Sequence, residues 1–307
     1  MAVLHRAPAQ ALSASSPTAA SRGLARVPPV GLLIVGVGTI QFGAALAATL
    51  FSQLGPAGTS LLRLAFAAVI LVAVTGARPG AHPRVNLRLA ALLGLTLAAM
   101  NLCFYEALDR IALGPAVTVE FIGPLAVAVA GSRRRLDLVW VVLAAGGILL
   151  LSQGLPGRSD YGGVALAALA GCFWAAYILI NARVAGAFAG STGLALAMCV
   201  GAAALVIPGL VGAGTALFSV PVLALGAAVA LMSSVIPYSL ETEALRRLPA
   251  NVFSVLMSLE PAIASLAGLL VLGQRLHPRE VVAIALVVVA SAGAARGART
   301  PAWTLET

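Results

Sequence analysis

Long apolar runs follow one another along this chain with only short segments between them. Ten of these runs are long enough to cross about 30 Å of hydrocarbon as helices. They are residues 30–51, 58–76, 88–108, 111–131, 137–153, 161–182, 191–211, 220–240, 250–272 and 280–295. Charged residues make up 9% of the sequence, whereas water-soluble domains carry about 25%. The sequence therefore excludes a soluble protein and predicts an all-α polytopic membrane protein with ten transmembrane helices.

Arginine is distributed unevenly between the segments that connect the apolar runs. If the N-terminus lies in the cytoplasm, fourteen arginines fall in cytoplasmic segments and four in outer loops, and Arg63 lies inside the second run. Because cytoplasmic loops of membrane proteins carry an excess of positive charge, this distribution favours ten crossings with both termini cytoplasmic. We attribute the net charge of +9 to topology and to contact with anionic membrane lipid, and not to nucleic-acid binding.

Two segments 137 residues apart resemble each other, and each leads towards a glutamate inside an apolar run. At this offset seven pairs are identical: Glu106/Glu243, Ala107/Ala244, Leu108/Leu245, Arg110/Arg247, Pro124/Pro261, Ala130/Ala267 and Gly131/Gly268. The matches at Glu, Arg and Pro carry the most weight, because Ala, Leu and Gly are abundant in this chain. We interpret the pattern as a duplication, which is common in secondary transporters.

A duplication of five helices has a consequence for topology. An odd number of crossings places the second half upside down relative to the first, which predicts two inverted five-helix repeats with a site near the bilayer midplane between them. The predicted halves are residues 30–153 and 161–295. Residues 1–29 are expected to form a disordered cytoplasmic tail, and residues 296–307 a cytoplasmic C-terminal tail.

Three charged residues inside the apolar runs are candidates for chemistry. Burying an ionisable group near the bilayer centre costs roughly 2.5–3.5 kcal/mol on insertion scales, and such groups usually have a function. Glu120 and Glu260 can take up a proton or meet a substrate ammonium, or they can serve as structural hydrogen-bonding groups. Arg63 can attract a substrate carboxylate, or it can extend its side chain towards the interface or pair with an acidic residue.

Uncharged polar residues and prolines complete the candidate site. The polar side chains can line a cavity or hold helices together, and we name Gln41, Asn101, Tyr105, Trp174, Tyr177 and Tyr238 as candidates for binding or proton coupling. Pro124, Pro237 and Pro261 are candidates for helix breaks, because each removes a backbone hydrogen bond and frees a carbonyl one turn earlier. Such freed carbonyls are tolerated inside a membrane only against protein or water.

Several classes of protein lack their required motifs here. The sequence contains no P-loop, no G-x-S-x-G motif and no H-E-x-x-H motif, so it does not predict ATP-driven transport or these hydrolase chemistries. The three cysteines lie inside apolar runs and show no metal-ligand spacing. We therefore expect a protein that is not an enzyme and that uses no cofactor and no metal.

Blocks across residues 30–295 resemble the EamA-type carriers of the drug/metabolite transporter superfamily, most closely the bacterial threonine/homoserine exporters. The blocks are Met100-Asn101 through Phe104-Tyr105, Val119-Glu120-Phe121-Ile122-Gly123-Pro124, Ser132-Arg133-Arg134, Pro237-Tyr238-Ser239-Leu240-Glu241 and Met257-Ser258-Leu259-Glu260-Pro261-Ala262. The resemblance implies two five-helix halves in the bacterial inner membrane. It also implies export of small amino acids driven by the proton gradient.

Two other functions stay open at this point. One is a broader permease for drugs or other metabolites of the same superfamily, and the other is a membrane scaffold without transport activity. For the leading interpretation we expect a small-molecule substrate, contact with membrane lipid, no nucleic acid, and a monomer or homodimer.

Overall fold

The computed structural model describes residues 27–130, 137–152, 160–188, 191–237, 240, 244 and 256–297. Within these residues the chain is helical and contains no strand. The helices are α1 (Pro29–Ala48), α2 (Phe51–Thr75), α3 (Arg84–Leu108), α4 (Leu113–Glu120), α5 (Ile122–Ala130), α6 (Asp137–Ser152), α7 (Tyr161–Ala187), α8 (Thr192–Ala213), α9 (Val220–Ala230), α10 (Glu260–Leu272) and α11 (Pro278–Gly297). A π-helix, Leu231–Val235, continues α9. All ten predicted runs therefore contain helix.

Composition explains both the helices and their outer surface. Inside hydrocarbon each backbone N–H and C=O must be paired within the chain, which helices achieve locally. Five of the described helices, α1, α2, α3, α7 and α8, are long and apolar enough to cross a membrane, and the other apolar helices are shorter. Large apolar side chains such as Val74, Ile207 and Val211 are at least 75% exposed. This outward-facing apolar surface fits lipid, and it confirms the prediction of a polytopic membrane protein.

The contacts between helices follow a two-fold pattern. Helix α2 packs against α8, α6 against α11, and α4 against α10, and each of these pairs joins runs that are five apart in the order of runs. The contact of α1 with α10 joins the first run to the ninth. Its counterpart joins the sixth run, α7, to the fourth run, which forms α4 and α5. Likewise, the contact of α3 with α7 corresponds to that of α9 with α1. This is the pattern expected for two related five-helix halves.

The exact limits of the halves and tails stay a prediction, since residues 1–26, 131–136, 153–159 and 298–307 lie outside the described residues.

Two of the differences from the predicted runs arise where a helix is kinked or divided. Helix α2 begins at Phe51 and not at residue 58, because one helical turn precedes a kink at Gly55, whose φ is 65°. Glycine tolerates this left-handed conformation, and Pro56 then fits the first turn of the helix that follows. The fourth predicted run is divided into α4 and α5, with Phe121 between them.

Candidate functional site

A cavity of about 170 Å³ lies between helices from both halves. Seven of the nine residues predicted for binding or proton coupling line it: Gln41, Arg63, Asn101, Glu120, Trp174, Tyr177 and Glu260. The remaining wall comes from Ile40, Ala44, Met100, Phe104, Val117, Ser233, Pro237 and Met257. The cavity therefore gathers two carboxyl groups and one guanidinium group from α4, α10 and α2.

The division between α4 and α5 positions Glu120. Glu120 is the last residue of α4, Phe121 is a turn residue, and α5 begins at Ile122. Pro124 has no N–H, so the carbonyl of Glu120 lacks the donor that a regular helix would supply four residues later. The helix thus breaks one turn before the proline that the sequence marked. Glu120 is 8% exposed, and its side chain lines the cavity.

Helix α7 packs closely against this break. A Cβ atom at Gly171 would lie 2.5 Å from the carbonyl oxygen of Glu120, so only glycine allows this approach. Trp174, one turn further along α7, packs edge-to-face on Phe121, with ring centroids 5.5 Å apart. These two contacts hold the exposed backbone of the break against protein, as is required for irregular backbone inside a membrane.

The second half contains an equivalent break. Ser258 and Leu259 are turn residues, α10 begins at Glu260, and Pro261 follows. The offset of 137 aligns Phe121 with Ser258, so both halves break at matching positions. The two glutamates are not equivalent, however, because Glu120 precedes its break and Glu260 follows its own. The residue that aligns with Glu120 is Met257, and the residue that aligns with Glu260 is Gly123.

Arg63 is held on the cavity wall by two helices. Its Nη1 donates a hydrogen bond to the hydroxyl oxygen of Tyr105 at 3.2 Å, and its Nη2 donates to the carbonyl oxygen of Ser233 at 3.2 Å. The guanidinium carbon also lies 5.7 Å from the centre of the Tyr105 ring, within the range of a cation–π interaction. Arg63 interacts electrostatically with Glu120, but the described residues show no ion pair between them.

Pro237 explains why the carbonyl of Ser233 can accept this bond. In a regular helix that carbonyl would accept from the N–H of residue 237, and proline has none. The sequence predicted a helix break at Pro237, and in the structure the π-helix Leu231–Val235 ends two residues before it. The proline thus frees a backbone acceptor that faces the arginine.

The other predicted residues take different positions. Tyr105 is 0% exposed and does not line the cavity, but it packs on Phe51, with ring centroids 5.4 Å apart, and positions Arg63. Asn101 donates through Nδ2 to the carbonyl of Leu97 in its own helix at 2.7 Å. Gln41 is 3% exposed, and its Oε1 has no hydrogen-bond partner among the described residues. Tyr238 lies outside the described residues.

The residues that sequence reasoning missed are mostly apolar. Ile40, Ala44, Met100, Phe104, Val117 and Met257 have the same character as the many residues that face lipid, so composition offers no signal for them. The turn at Phe121 is a partial exception, since Pro124 pointed to a break nearby.

The chain matches known transporters over most of its length. The model of the EamA-like transporter family matches residues 161–296. The threonine/homoserine exporter RhtA of Escherichia coli K12 is 42% identical over 270 residues, covering 86% of this chain and 90% of that protein. The exporter of the same name from Salmonella typhimurium LT2 shows the same identity and coverage.

A solved structure described only as "Crystal structure of protein" superposes with a TM-score of 0.60 at 17% identity, covering 90% of this chain and 99% of that one. This similarity shows the fold alone. The alignments to the two exporters cover 86% of this chain and therefore include parts of both halves. The chain therefore belongs to the EamA-like transporter family, within its RhtA-like subfamily.

Proposed function

We propose that this protein exports threonine, homoserine and similar small amino acids across the bacterial inner membrane by proton antiport. The observation that carries the proposal is the presence of Arg63, Glu120 and Glu260 in the wall of one small cavity. An amino acid is a zwitterion, so its site needs a cation for the carboxylate and an anion for the ammonium. The relatives named above supply the choice of threonine and homoserine.

The size of the cavity supports a small substrate. Sites for drug-sized ligands have volumes of about 300–1,000 Å³, and this cavity has about 170 Å³. The surrounding wall is largely apolar, and charges interact more strongly in such a low-dielectric surrounding than in water. A small zwitterion therefore fits the cavity better than a bulky drug does.

Proton coupling follows from competition at a carboxyl group. A deprotonated Glu120 attracts the substrate ammonium, and protonation removes that attraction. When the outside is more acidic, a proton displaces the amino acid on that side, and loss of the proton in the cytoplasm restores the site. In this proposal the carboxylate of the amino acid binds Arg63, while the carboxyl group of Glu260 contributes a second negative charge.

Efflux from proteoliposomes tests the proposal. Vesicles containing the purified protein are loaded with radiolabelled threonine or homoserine, and the external pH is lowered. We expect protein-dependent efflux that increases with the imposed gradient. Equal efflux with and without the protein, for every small amino acid tried, would contradict amino-acid export. Flux of other metabolites in the same vesicles would then favour a broader permease, and absence of any flux would favour a scaffold.

A further inference from the structure

Two polar side-chain atoms in the cavity wall have no hydrogen-bond partner among the described residues. Gln41 Oε1 and Ser233 Oγ are buried and unpaired among the described residues, and their side chains are 3% and 4% exposed. Leaving a buried donor or acceptor unpaired costs about 1–3 kcal/mol, so such atoms call for an explanation. Ser60 and Ser291 also carry unpaired hydroxyl groups, but neither lines the cavity.

The two groups lie on facing segments of the structure. Gln41 belongs to α1, and Ser233 belongs to the π-helix that packs against α1. Gly43, two residues after Gln41, is in such close contact with Ser233 that a Cβ atom there would overlap the serine hydroxyl. This contact brings the backbone of α1 directly against Ser233.

Ser233 also lies beside the proposed carboxylate site. Its carbonyl oxygen is 3.2 Å from Nη2 of Arg63. In a hydroxy amino acid the hydroxyl group is only two or three carbons from the carboxylate. A substrate carboxylate at Arg63 therefore places the hydroxyl of the same molecule within reach of Ser233.

We propose that Gln41 and Ser233 recognise the side-chain hydroxyl of the substrate and thereby select hydroxy amino acids over apolar ones. The inference rests on the proposed amino-acid export. A hydroxyl group donates one hydrogen bond and accepts others, so it can donate to Gln41 Oε1 and accept from the Ser233 hydroxyl. The Ser233 hydroxyl lies against Gly43 of α1, so in this proposal it turns about its side-chain torsion to meet the substrate. An apolar side chain of equal size would leave both groups unpaired.

Competition between threonine and valine tests this selectivity, because the two amino acids have nearly the same shape and differ by a hydroxyl in place of a methyl group. Proteoliposomes are loaded with both, each with its own radiolabel, and the ratio of their efflux rates is measured. A site that hydrogen-bonds a substrate hydroxyl rejects the analogue without it far more strongly than an apolar pocket does. We expect the unmodified protein to prefer threonine by about 10-fold or more.

The variants Gln41→Leu and Ser233→Ala remove the two groups while keeping similar volume. We expect each to reduce the threonine-to-valine ratio several-fold, mainly through faster valine efflux. Ser291→Ala is the matched control, since it removes an unpaired buried hydroxyl outside the cavity and should leave the ratio unchanged. Valine efflux also reports folding, because a variant that fails to fold loses both fluxes.

Two outcomes would overturn the inference while amino-acid export still stands. One is equal efflux of threonine and valine by the unmodified protein. The other is an unchanged ratio in both cavity variants. Loss of all amino-acid efflux in the unmodified protein would instead contradict the proposed function itself.

Discussion

Arg63 and Ser233 are joined by a hydrogen bond from the guanidinium Nη2 to a backbone carbonyl at 3.2 Å, although they are 170 residues apart in sequence. The bond links α2 in the first half to the π-helix in the second half. Pro237 supplies no N–H to that carbonyl, which leaves the carbonyl available to Arg63. Arg63 has further N–H groups for a substrate carboxylate, so this bond positions the guanidinium group and connects the proposed binding site to the backbone of the opposite half.

Pro237→Ala tests this connection. Alanine restores an N–H that can compete with Arg63 for the Ser233 carbonyl. We expect threonine efflux to fall about 2- to 10-fold, as the loss of a hydrogen bond with a net value of 0.5–1.5 kcal/mol implies. The measurement is efflux from proteoliposomes at equal protein content.

Pro208→Ala is the control for that variant, since Pro208 also lies inside a helix but is exposed and outside the cavity. If both variants lose efflux equally, the special role of the Ser233 carbonyl is wrong.

Glu120→Gln tests proton coupling. Glutamine keeps the size and the hydrogen-bonding capacity of glutamate but cannot exchange a proton. We expect the variant to insert into the membrane normally while losing the stimulation of efflux by an acidic exterior, by roughly 10-fold or more. The measurement is efflux of preloaded threonine at several external pH values.

Glu106→Gln provides the same chemical change at a position outside the cavity, where Glu106 lies 4.0 Å from Arg110. We expect its pH response to match that of the unmodified protein. A Glu120→Gln protein that keeps the full pH response would show that this carboxyl group is structural.

Gly171→Ala tests the close packing of α7 on the break. Its Cβ would lie 2.5 Å from the carbonyl oxygen of Glu120, and overpacking of this kind costs about 1–3 kcal/mol. We expect a lower melting temperature in detergent and weaker efflux.

Gly186→Ala is the control on the same helix, because a Cβ there meets nothing within 4 Å. Alanine favours a helix by up to about 1 kcal/mol over glycine, so this variant should be as stable as the unmodified protein or more stable. Equal melting temperatures for both variants would mean that α7 shifts to accommodate a Cβ at Gly171 without loss of stability.

Reporter fusions test the orientation predicted from arginine. Fusions after residues 55, 134, 215 and 307 should report outside, inside, outside and inside, because this arrangement keeps most arginines in the cytoplasm. A reversal at residue 215 alone would mean that one of the fifth to seventh predicted runs does not cross the membrane.

The sequence alone determined the class of protein, the helical runs and most of the polar candidates. Scarcity of charge made this possible, because Glu120, Glu260 and Arg63 stand out in apolar runs where burying charge is costly. These three residues and four of the predicted uncharged ones line one cavity. The prolines also signalled breaks, since the loss of an N–H is a local property that depends on sequence alone.

The tertiary structure decided which groups meet. The break falls at Phe121 and not at Pro124, because the missing donor affects a carbonyl one turn earlier, and Gly171 on another helix allows close packing there. Tyr105 holds Arg63 and does not line the cavity, and the acceptor freed by Pro237 faces Arg63. Apolar cavity residues such as Met100 and Val117 resemble lipid-facing ones in sequence. Only the packing of distant helices, which local composition does not specify, distinguishes the two surfaces.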